Sequence, residues 1–331
     1  MKRLDYYWYT RSPWLLLLTP VSLVFRVAVW LRRLAYRSGL ARSHRVAVPV
    51  IVVGNITVGG TGKTPLVAWL AGYLQSKGYR PGIIARGYGG RATRWPQQVR
   101  PDSDPNIVGD EAVLLAGITH CPMAVAPNRV AAARALIEHS NCNVIISDDG
   151  LQHYALQRDV EIAVIDGIRR FGTGFSLPAG PLREPVKRLQ EVDLVVVNGL
   201  GSGLEHRMRM LPGKACNLKD RARSQELSGF RGQAVHAVAG IGNPERFFQT
   251  LQQAGMRVQG HAFPDHHRFT PADIGFGDGK PVLMTEKDAV KCRHFASEND
   301  WFVPVRVELP AEFCIQLDAL LEARLPNTQR T

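Results

Sequence analysis

The sequence contains few cysteines, no internal repeat and no low-complexity tract. Its five cysteines are scattered along 331 residues without a Cys-x-x-Cys pair, which argues against a thiolate zinc site and against a disulfide framework. Unpaired thiols of this kind are typical of proteins in a reducing cytosol. Because 45% of the residues are hydrophobic, the chain can bury a substantial core, and its length is sufficient for two domains of ordinary size.

Acidic residues are scarce at the beginning of the chain. Residues 1–48 contain nine lysines and arginines but a single acid, Asp5, so they carry eight of the twelve net positive charges. The rest of the chain carries only the other four. This distribution excludes a uniformly basic nucleic-acid-binding protein, and we expect no nucleic-acid partner.

An apolar stretch lies among these charges at 14–31, and Pro20 and Arg26 interrupt its eighteen residues, which is near the lower limit for a spanning helix. Aromatic and basic residues flank it on both sides, which favours an interfacial or re-entrant helix on an anionic membrane surface. A spanning helix and a buried soluble helix are the alternatives. A cleavable signal peptide is disfavoured because Arg26 and the Arg32-Arg33 pair occupy the place of the cleavage site. We predict a membrane-associated element at 1–45.

The segment TVGGTGKT at 57–64 is a candidate phosphate loop. It follows a strand-like apolar run at 48–53 and precedes a helix-like run at 66–74, so its backbone amides and the helix N-terminus can bind nucleotide phosphates. Thr57 replaces the first glycine of the usual motif, and a glycine-rich turn with a chance Lys-Thr is the alternative. We predict Lys63 to be catalytic, Thr64 to bind Mg²⁺, and the nucleotide to contact Thr57, Val58, Gly59, Gly60, Thr61, Gly62, Lys63 and Thr64.

The remaining pattern predicts two α/β domains. Apolar runs at 48–53, 82–85, 144–147, 161–165 and 194–197 are separated by stretches long enough for crossover helices, as in a parallel sheet covered on both faces. A Gly-, Arg-, Lys- and Ser-rich segment follows at 201–232. A second series of runs, at 234–239, 282–285 and 302–307, then begins. We predict a core domain at 46–200, a linker at 201–232 and a smaller α/β domain at 233–331, with the functional site in the cleft between the domains.

Two pairs of carboxylates are candidates for metal binding and proton transfer. Asp148 and Asp149 end a strand-like run, where an acid of a phosphate-loop enzyme holds Mg²⁺; an ordinary turn is the alternative. Asp110 and Glu111 precede a helical run, and they act either as helix-capping acids or, in the case of Asp110, as a general base beside the γ-phosphate.

Other polar groups accompany these acids. Gln152 and His153 are candidates to orient phosphate or substrate, and Arg183, in a stiff Pro- and Gly-rich loop, suits phosphate recognition. A structural histidine and a surface arginine are the alternatives. The segment 263–269 contains Asp265, His266 and His267. These residues are candidates either for a metal site or for an Asp–His pair that assists proton transfer.

Eight motifs, taken together, resemble the tetraacyldisaccharide 4′-kinase family of lipid A biosynthesis. They span almost the whole chain, and the Thr57 departure is itself a feature of this family's loop. The motifs are VGNITVGGTGKTP (53–65), RGYGG (86–90), GDEA (109–112), DDGLQH (148–153), LPAGPLREP (177–185), AGIGNPERFF (239–248), FPDHH (263–267) and TEKDAVK (285–291).

This resemblance implies a P-loop NTPase-like fold and transfer of the ATP γ-phosphate to the 4′-hydroxyl of a tetraacylated glucosamine disaccharide 1-phosphate. It also implies a requirement for Mg²⁺ and a site at the cytoplasmic face of a Gram-negative inner membrane. No obligate protein partner is inferred. Carried over by motif, Asp110 is the base, assisted by His266, although His267 beside it leaves this alignment open by one position. Asp148 and Asp149 organise the metal, with Glu111 and Arg183 in support of metal or phosphate.

Two other functions remain open from the sequence. A membrane-recruited P-loop ATPase of the partition or septum-positioning kind shares the Gly-Gly-x-Gly-Lys-Thr pattern, but such proteins carry lysine where Val58 stands and lack a late Asp-His segment. An integral membrane scaffold with a vestigial nucleotide fold leaves the clustered acids and histidines unexplained.

Overall fold

The computed structural model describes residues 4–10, 12–199 and 205–324. Parts of four predictions lie outside these residues. They are the basic residues Lys2, Arg3 and Arg11 of the N-terminal element, Leu200 at the end of the core domain, the start of the linker at 201–204, and the last seven residues of the second domain, 325–331.

The helices and strands alternate along most of the described chain. The α-helices are α1 (Leu4–Tyr7), α2 (Thr19–Arg37), α3 (Lys63–Ser76), α4 (Pro105–Val108), α5 (Asp110–Thr119), α6 (Arg129–Ser140), α7 (Pro244–Gln253), α8 (Pro271–Ile274), α9 (Glu286–Cys292) and α10 (Ala311–Arg324). The strands are β1 (Val50–Gly54), β2 (Pro81–Ala85), β3 (Gln97–Val99), β4 (Met123–Val125), β5 (Val144–Asp148), β6 (Val160–Asp166), β7 (Leu194–Asn198), β8 (His206–Pro212), β9 (Ala215–Asn217), β10 (Ser224–Gln225), β11 (Ala234–Ala239), β12 (Arg257–Ala262), β13 (Val282–Thr285), β14 (Asp300–Val303) and β15 (Val305–Glu308). Short 3-10 helices occur at Pro13–Leu18, Val186–Gln190, Leu227–Phe230 and Arg293–Phe295.

The larger sheet has nine strands in the order β15-β8-β7-β6-β1-β5-β2-β4-β3. The five apolar runs that predict parallel strands form β1, β2, β5, β6 and β7, and each pairs with its neighbours in parallel. The edge strands β15 and β3 are antiparallel. The predicted α/β fold is therefore confirmed for this part of the chain.

Both faces of this sheet are buried, which explains why its strands are apolar throughout rather than alternating. In β1, Ile51 and Val53 contact one core while Val50 and Val52 contact the other. Helices α3, α5 and α10 cover the first core, and α6 covers the second. The carboxyl ends of the parallel strands meet at one edge of the sheet, where the candidate catalytic side chains lie.

The smaller sheet has six strands in the order β10-β9-β14-β13-β11-β12. The apolar runs at 234–239 and 282–285 form β11 and β13, which pair in parallel. The run at 302–307, predicted as one strand, is divided between two sheets at Pro304. Before it, β14 pairs with β13, and after it, β15 pairs with β8 of the larger sheet. Proline has no N–H for a strand ladder and therefore marks the crossing.

The described part of the predicted linker contains strands of both sheets. Strand β8 extends the larger sheet beside β7, whereas β9 pairs with β14 of the smaller sheet. At the C-terminal end, Phe313, Leu317 and Leu321 of α10 pack in the core beside α3. The chain thus passes between the two sheets twice. The division into a core domain at 46–200, a linker at 201–232 and a second domain at 233–331 stays a prediction.

Among the described residues, one helix is long and apolar enough to cross a membrane by length and composition, the 25 residues Pro13–Arg37. Ser22 is buried and Arg33 half-buried on the face that packs on the domain. The opposite face exposes apolar side chains such as Leu17 (79% exposed) and Val24 (69%). The alternative of a buried soluble helix is therefore wrong, while the choice between an interfacial and a spanning helix stays a prediction.

Candidate active site

The predicted phosphate loop connects β1 to α3, and α3 begins at Lys63. Gly62, immediately before the helix, has a φ of +96°, a left-handed conformation that glycine adopts without steric cost. The strand–turn–helix arrangement directs the first amides of α3 toward the end of the sheet, where they can bind an anion. The local structure is therefore that of a phosphate-binding loop.

The loop is held from behind by two other predicted motifs. The Val58 amide donates to the Pro181 carbonyl at 2.8 Å, and the Arg183 amide donates to the Ile56 carbonyl at 2.7 Å. The Gln152 side chain donates to the Asn55 carbonyl at 3.0 Å. Gln152 thus supports the loop from the protein side, rather than extending toward a ligand.

Asp149 interacts with two positively charged side chains beside the phosphate loop, those of Lys63 and Arg183. Its carboxylate lies 3.6 Å from Lys63 Nζ and accepts a hydrogen bond from Arg183 Nη1 at 2.9 Å. Burial works to raise the pKa of Asp149, but the positive charges of Lys63 and Arg183 outweigh it and hold the pKa at about 2. Asp149 is therefore ionised at neutral pH, and its interactions orient both cations.

Asp148, one residue earlier, has the opposite electrostatic environment. Burial and the nearby Glu111 charge raise its pKa to about 7, against the attraction of Lys63. Its Oδ1 is buried and has no hydrogen-bond partner among the residues that the structure describes. A divalent cation satisfies such an oxygen and lowers its pKa.

The donor set fits Mg²⁺, which takes one or two carboxylates and completes its octahedron with phosphate oxygens and water. Asp148 supplies a carboxylate oxygen without a partner among the described residues, and Thr64 follows Lys63 in the first turn of α3. No group of three or more His, Cys, Asp and Glu side chains suited to a metal occurs within the described ranges. The arrangement thus suits a cation that is bound together with nucleotide phosphates rather than in a protein cage.

Asp110 and His266 form the central pair of the second half of the site. Asp110 begins α5 and is buried, and its two carboxylate oxygens lie 3.0 and 3.1 Å from His266 Nδ1. Burial works to raise the pKa of Asp110, but the His266 hydrogen bond and Lys287 outweigh it and hold the pKa at about 2. The carboxylate is therefore an acceptor, so His266 Nδ1 carries the donated proton. The same hydrogen bond raises the pKa of His266.

Backbone geometry brings the two residues of this pair together. Gly109, before Asp110, has a φ of +96°, and a Cβ at this position would lie 2.6 Å from the Tyr88 carbonyl. The RGYGG loop can therefore pack directly on the start of α5, and the Tyr88 ring contacts the His266 ring edge-on at 5.2 Å. His266 itself has a φ of +61°, a conformation that tertiary contacts must maintain.

The neighbouring histidine has a different partner. His267 Nε2 lies 3.3 Å from Asp273 Oδ2, within the second domain, and its ring stacks on Phe263. Only His266 of the two contacts Asp110 in the structure, which favours the sequence alignment that assigns the assisting role to His266.

Two lysines of helix α9 that the sequence analysis did not single out contribute to the site. Lys287 Nζ lies 2.8 Å from Glu111 Oε1 and 3.0 Å from Asp265 Oδ1, so it connects the acids of the two domains. Lys291 Nζ lies 3.7 Å from Asp110 Oδ2 and 2.9 Å from Asp288. The TEKDAVK motif contains both lysines, and their four-residue helical spacing was the available signal.

His153 and Arg129 lie beside the paired aspartates. Burial and the charge of Arg129 lower the pKa of His153 to about 4, so the ring is neutral at pH 7. Its Nε2 is buried and has no hydrogen-bond partner within the described part of the chain. Arg129, which is 4% exposed, was not predicted; its pKa is lowered to about 10 by burial, against the attraction of Asp149 and Asp148.

A cavity of about 540 Å³ lies elsewhere, at the amino end of β1 and opposite the phosphate loop. Arginines line it, and acids of the same wall pair with several of them, as in Arg33–Glu191 and Arg188–Glu161. Among the described residues that line this cavity, none is a candidate catalytic residue. The candidate carboxylates, Lys63 and His266 lie instead at the carboxyl edge of the sheet.

The chain is similar to known proteins over most of its length. The family model for LpxK, described as tetraacyldisaccharide-1-P 4′-kinase, matches residues 14–322. A protein of Nitrosococcus oceani named tetraacyldisaccharide 4′-kinase is 57% identical over 316 residues, which cover 96% of this chain and 93% of that protein. One of the same name from Aeromonas hydrophila is 49% identical over 322 residues, with 96% and 95% coverage.

A solved structure is also similar. It is that of LpxK from Aquifex aeolicus in complex with ATP, with a TM-score of 0.79 and 27% sequence identity. The match covers 94% of this chain and 99% of that one. The similarity therefore includes both sheets and is not limited to the phosphate-loop domain.

Proposed function

Because the chain belongs to the tetraacyldisaccharide-1-phosphate 4′-kinase family, it is an ATP-dependent kinase of lipid A biosynthesis, and we propose that it acts through the residues described above. In this proposal, it transfers the γ-phosphate of ATP to the 4′-hydroxyl of a tetraacylated glucosamine disaccharide 1-phosphate. The observation that carries the proposal is the Asp110–His266 hydrogen bond beside a phosphate loop. This arrangement combines a proton acceptor with a nucleotide site, as a kinase for a sugar hydroxyl requires.

The Asp110–His266 pair acts on the acceptor. Asp110 is ionised at neutral pH and accepts the hydroxyl proton as the sugar oxygen bonds to the γ-phosphorus and the bond to the β-phosphate oxygen breaks. His266 holds the carboxylate in position and shares the proton, so the pair titrates as one unit. ADP leaves with the β-phosphate oxygen, and the product gains one phosphate.

The phosphate loop and its cations act on ATP. The amides of 57–64 bind phosphate oxygens, and Lys63 exchanges its 3.6 Å contact with Asp149 for a phosphate oxygen. Arg183, which bonds to Asp149 at 2.9 Å, is positioned beside the same phosphates and stabilises their charge. His153 and Gln152 border this site, Gln152 as a support of the loop.

Asp148, Asp149 and Thr64 hold Mg²⁺ in this proposal, with Glu111 in support. When bound, the ion neutralises phosphate charge and orients the γ-phosphate. The protein itself favours cation binding at this position, because burial and the Glu111 charge raise the pKa of Asp148 to about 7. A carboxylate that is costly to ionise alone readily accepts a cation, so loading of the site is linked to the loss of a proton.

The second domain, proposed at 233–331, completes the catalytic centre from the other side of the cleft. It supplies His266 to Asp110 and Lys287 to Glu111. Neither contact exists within the first domain alone, so the catalytic centre requires both domains to be in place.

The N-terminal element supports an enzyme that works at the membrane where its acylated acceptor lies. The exposed face of α2 is apolar, and basic residues such as Arg26 and Arg32 lie along it, which suits an anionic membrane surface. The buried Ser22 side chain accepts a hydrogen bond from the Ala179 amide at 2.9 Å, within the loop that contains Arg183. We place the enzyme at the cytoplasmic face of the bacterial inner membrane, where ATP is available.

The test is the product made from ATP and a defined tetraacyldisaccharide 1-phosphate in detergent micelles. Mass spectrometry is expected to show one added phosphate, with its position at the 4′-oxygen established by fragmentation. ATP consumption that does not depend on the lipid, with no phosphorylated lipid, contradicts the proposal and favours a membrane-recruited ATPase. Phosphate at another hydroxyl contradicts the assigned acceptor.

A further inference from the structure

Asn198, the last residue of β7, lies against the phosphate loop without belonging to any of the motifs discussed above. Its side chain is buried, and Nδ2 donates to the Thr61 carbonyl at 3.2 Å. The Thr61–Gly62 peptide is trans, since the cis peptides of the described chain precede Pro96 and Pro178. In a trans peptide, the carbonyl and the amide point in opposite directions. A carbonyl held toward Asn198 therefore turns the Gly62 amide away from β7.

The contact also explains why position 62 requires glycine beyond its φ of +96°. A Cβ on Gly62 would lie 2.8 Å from Asn198 Nδ2 and 3.0 Å from Met208 Cε. The loop thus packs closely against Asn198 at the Thr61–Gly62 peptide.

A residue of the second domain determines the orientation of this amide. Arg246, on α7, donates from Nη1 to Asn198 Oδ1 at 3.1 Å. A guanidinium can only donate, so the Asn198 oxygen faces Arg246 and the nitrogen must face Thr61. The positive charge of Arg246 also polarises the amide and strengthens its bond to the loop.

A second contact keeps the segment before α7 beside the loop. Arg169 Nη2 donates to the Gly242 carbonyl at 2.8 Å, and a Cβ on Gly242 would lie only 3.5 Å from the Gly60 amide nitrogen. The second domain therefore lies beside the phosphate loop at Gly60 and is connected to Thr61 through Asn198. Arg246 reaches Asn198 only while the domain occupies this position.

From these contacts we infer that Asn198 is a positioning residue through which Arg246 of the second domain holds the phosphate loop in its ATP-binding conformation. Asn198 contacts no proposed substrate atom and takes no part in proton transfer. The inference rests on the proposed function, in that it assigns the loop to ATP, but it does not depend on the lipid acceptor. It predicts that the ATP affinity of the first domain depends on the position of the second.

The experiment measures the binding of ATP to the full-length protein by calorimetry, without lipid, for Asn198→Asp, Arg246→Ala and the double variant. Asn198→Asp retains an acceptor for Arg246 but replaces the donor to Thr61 with a repelling oxygen. We expect each single variant to weaken ATP binding about fivefold to tenfold, the range of one lost hydrogen bond to a polar or charged partner. The double variant should be no weaker than the more affected single variant, since both break the same connection.

The outcomes separate positioning from a structural role. If Asn198 only joins the domains, the Asp–Arg ion pair preserves that connection, and Asn198→Asp binds ATP like the unmodified protein, which overturns the inference. The inference is also overturned if the losses of ATP affinity in the two single variants multiply in the double variant, because this result indicates that Arg246 binds phosphate independently. Arg257→Ala, an exposed arginine on β12, is the control and should leave ATP binding unchanged. Failure to phosphorylate lipid, in contrast, contradicts the proposed function alone.

Discussion

His266 Nδ1 lies 3.0 Å from Oδ1 of Asp110, although 156 residues separate them in the chain. One residue begins a helix of the phosphate-loop domain, and the other lies in the loop after β12 of the second domain. The lowered pKa of Asp110 and the raised pKa of His266 have a shared origin, since each charge stabilises the other across this hydrogen bond. The proposed base therefore exists as a unit only when the two domains are in contact.

Replacement of either member should impair chemistry more than nucleotide binding. Asp110→Asn and His266→Gln are each expected to lower kcat by roughly 10²-fold or more, the usual contribution of a general base. The ATP affinity should change little, because neither side chain lies in the phosphate loop. Steady-state kinetics and ATP calorimetry provide the two measurements.

His267→Gln is the matched control for this prediction. It changes a histidine one position away whose partner, Asp273, belongs to the same domain. Its kcat should remain within about threefold of the unmodified enzyme, well below the general-base effect. A larger loss for His267→Gln than for His266→Gln would reverse the assignment of the assisting histidine.

Lys287 should determine where the enzyme loses activity in acid. Its positive charge lowers the pKa of Asp110 and of His266. Lys287→Met removes this charge, so both values rise and the unprotonated base is lost at a higher pH. The acidic limb of the kcat/KM profile should consequently move to higher pH.

Lys280→Met is the control, since Lys280 is a partly exposed lysine that pairs with Asp278 and is not among the charges that shift the pKa of Asp110. Its acidic limb should coincide with that of the unmodified enzyme. An acidic limb that stays in place in Lys287→Met, with activity reduced equally at every pH, contradicts the electrostatic role and indicates loss of structure instead.

The raised pKa of Asp148 should make the stability of the folded protein depend on pH. Its folded pKa, about 7, exceeds the value of 3.8 for an exposed aspartate. Below this ordinary value, the carboxyl is protonated in both states. As pH rises toward 7, only the unfolded chain ionises freely, so the folded state loses stability. Without nucleotide and Mg²⁺, Asp148→Asn should therefore be more stable at pH 8 by about 1 kcal/mol or more, and the difference should disappear toward pH 4.

Asp149→Asn should change stability in the opposite direction, because the pKa of Asp149 is lowered where that of Asp148 is raised. The pKa of Asp149 is held at about 2, below its ordinary value, by Lys63 and Arg183. Its ionised form therefore adds stability that is present above the unfolded pKa and is lost as pH falls toward 2. Urea unfolding at pH 8 should show Asp149→Asn to be less stable than the unmodified protein. Equal signs for the two variants would contradict the electrostatic difference between these neighbours.

The sequence predicted the parts of this site that depend on local chain geometry. A strand, a glycine-rich turn and Lys63 at a helix start are neighbours in the chain, and β1, the loop and α3 appear where expected. Pairs such as Lys287–Glu111, which are 176 residues apart, depend on how two domains pack, and no local pattern contains that information. The run at 302–307 was misread for a related reason: apolar residues indicate a strand but not the sheet it joins, although Pro304 was a visible interruption.

Lys63→Ala should abolish transfer and leave the fold intact. Lys63 begins α3 and contacts Asp149 rather than the apolar core, so its loss affects phosphate charge and not packing. Phosphorylated lipid should fall below detection while the melting temperature changes little. Lys77→Ala, at the other end of the same helix and paired with Asp318, should retain full activity. Comparable activity in the two variants would remove Lys63 from the catalytic residues.

The exposed face of α2 should determine membrane association. Val24 and Leu31, seven positions apart on one side of the helix, are 69% and 52% exposed, whereas Ser22 and Arg33 face the domain. Burial of one such side chain contributes about 1.5–3 kcal/mol, so Val24→Glu with Leu31→Glu should lower partitioning to anionic vesicles by about tenfold or more.

The control for this prediction is Ile315→Glu, an equally apolar and exposed position (67%) on α10, which should sediment with vesicles like the unmodified protein. Phosphorylation of acceptor dispersed in detergent micelles should be nearly normal for Val24→Glu with Leu31→Glu, because the contacts of Ser22 and Arg33 with the domain remain. Activity on acceptor embedded in vesicles should fall in parallel with binding. Unchanged sedimentation of this variant would mean that the apolar face of α2 does not contact the membrane, and that its exposed side chains serve another partner.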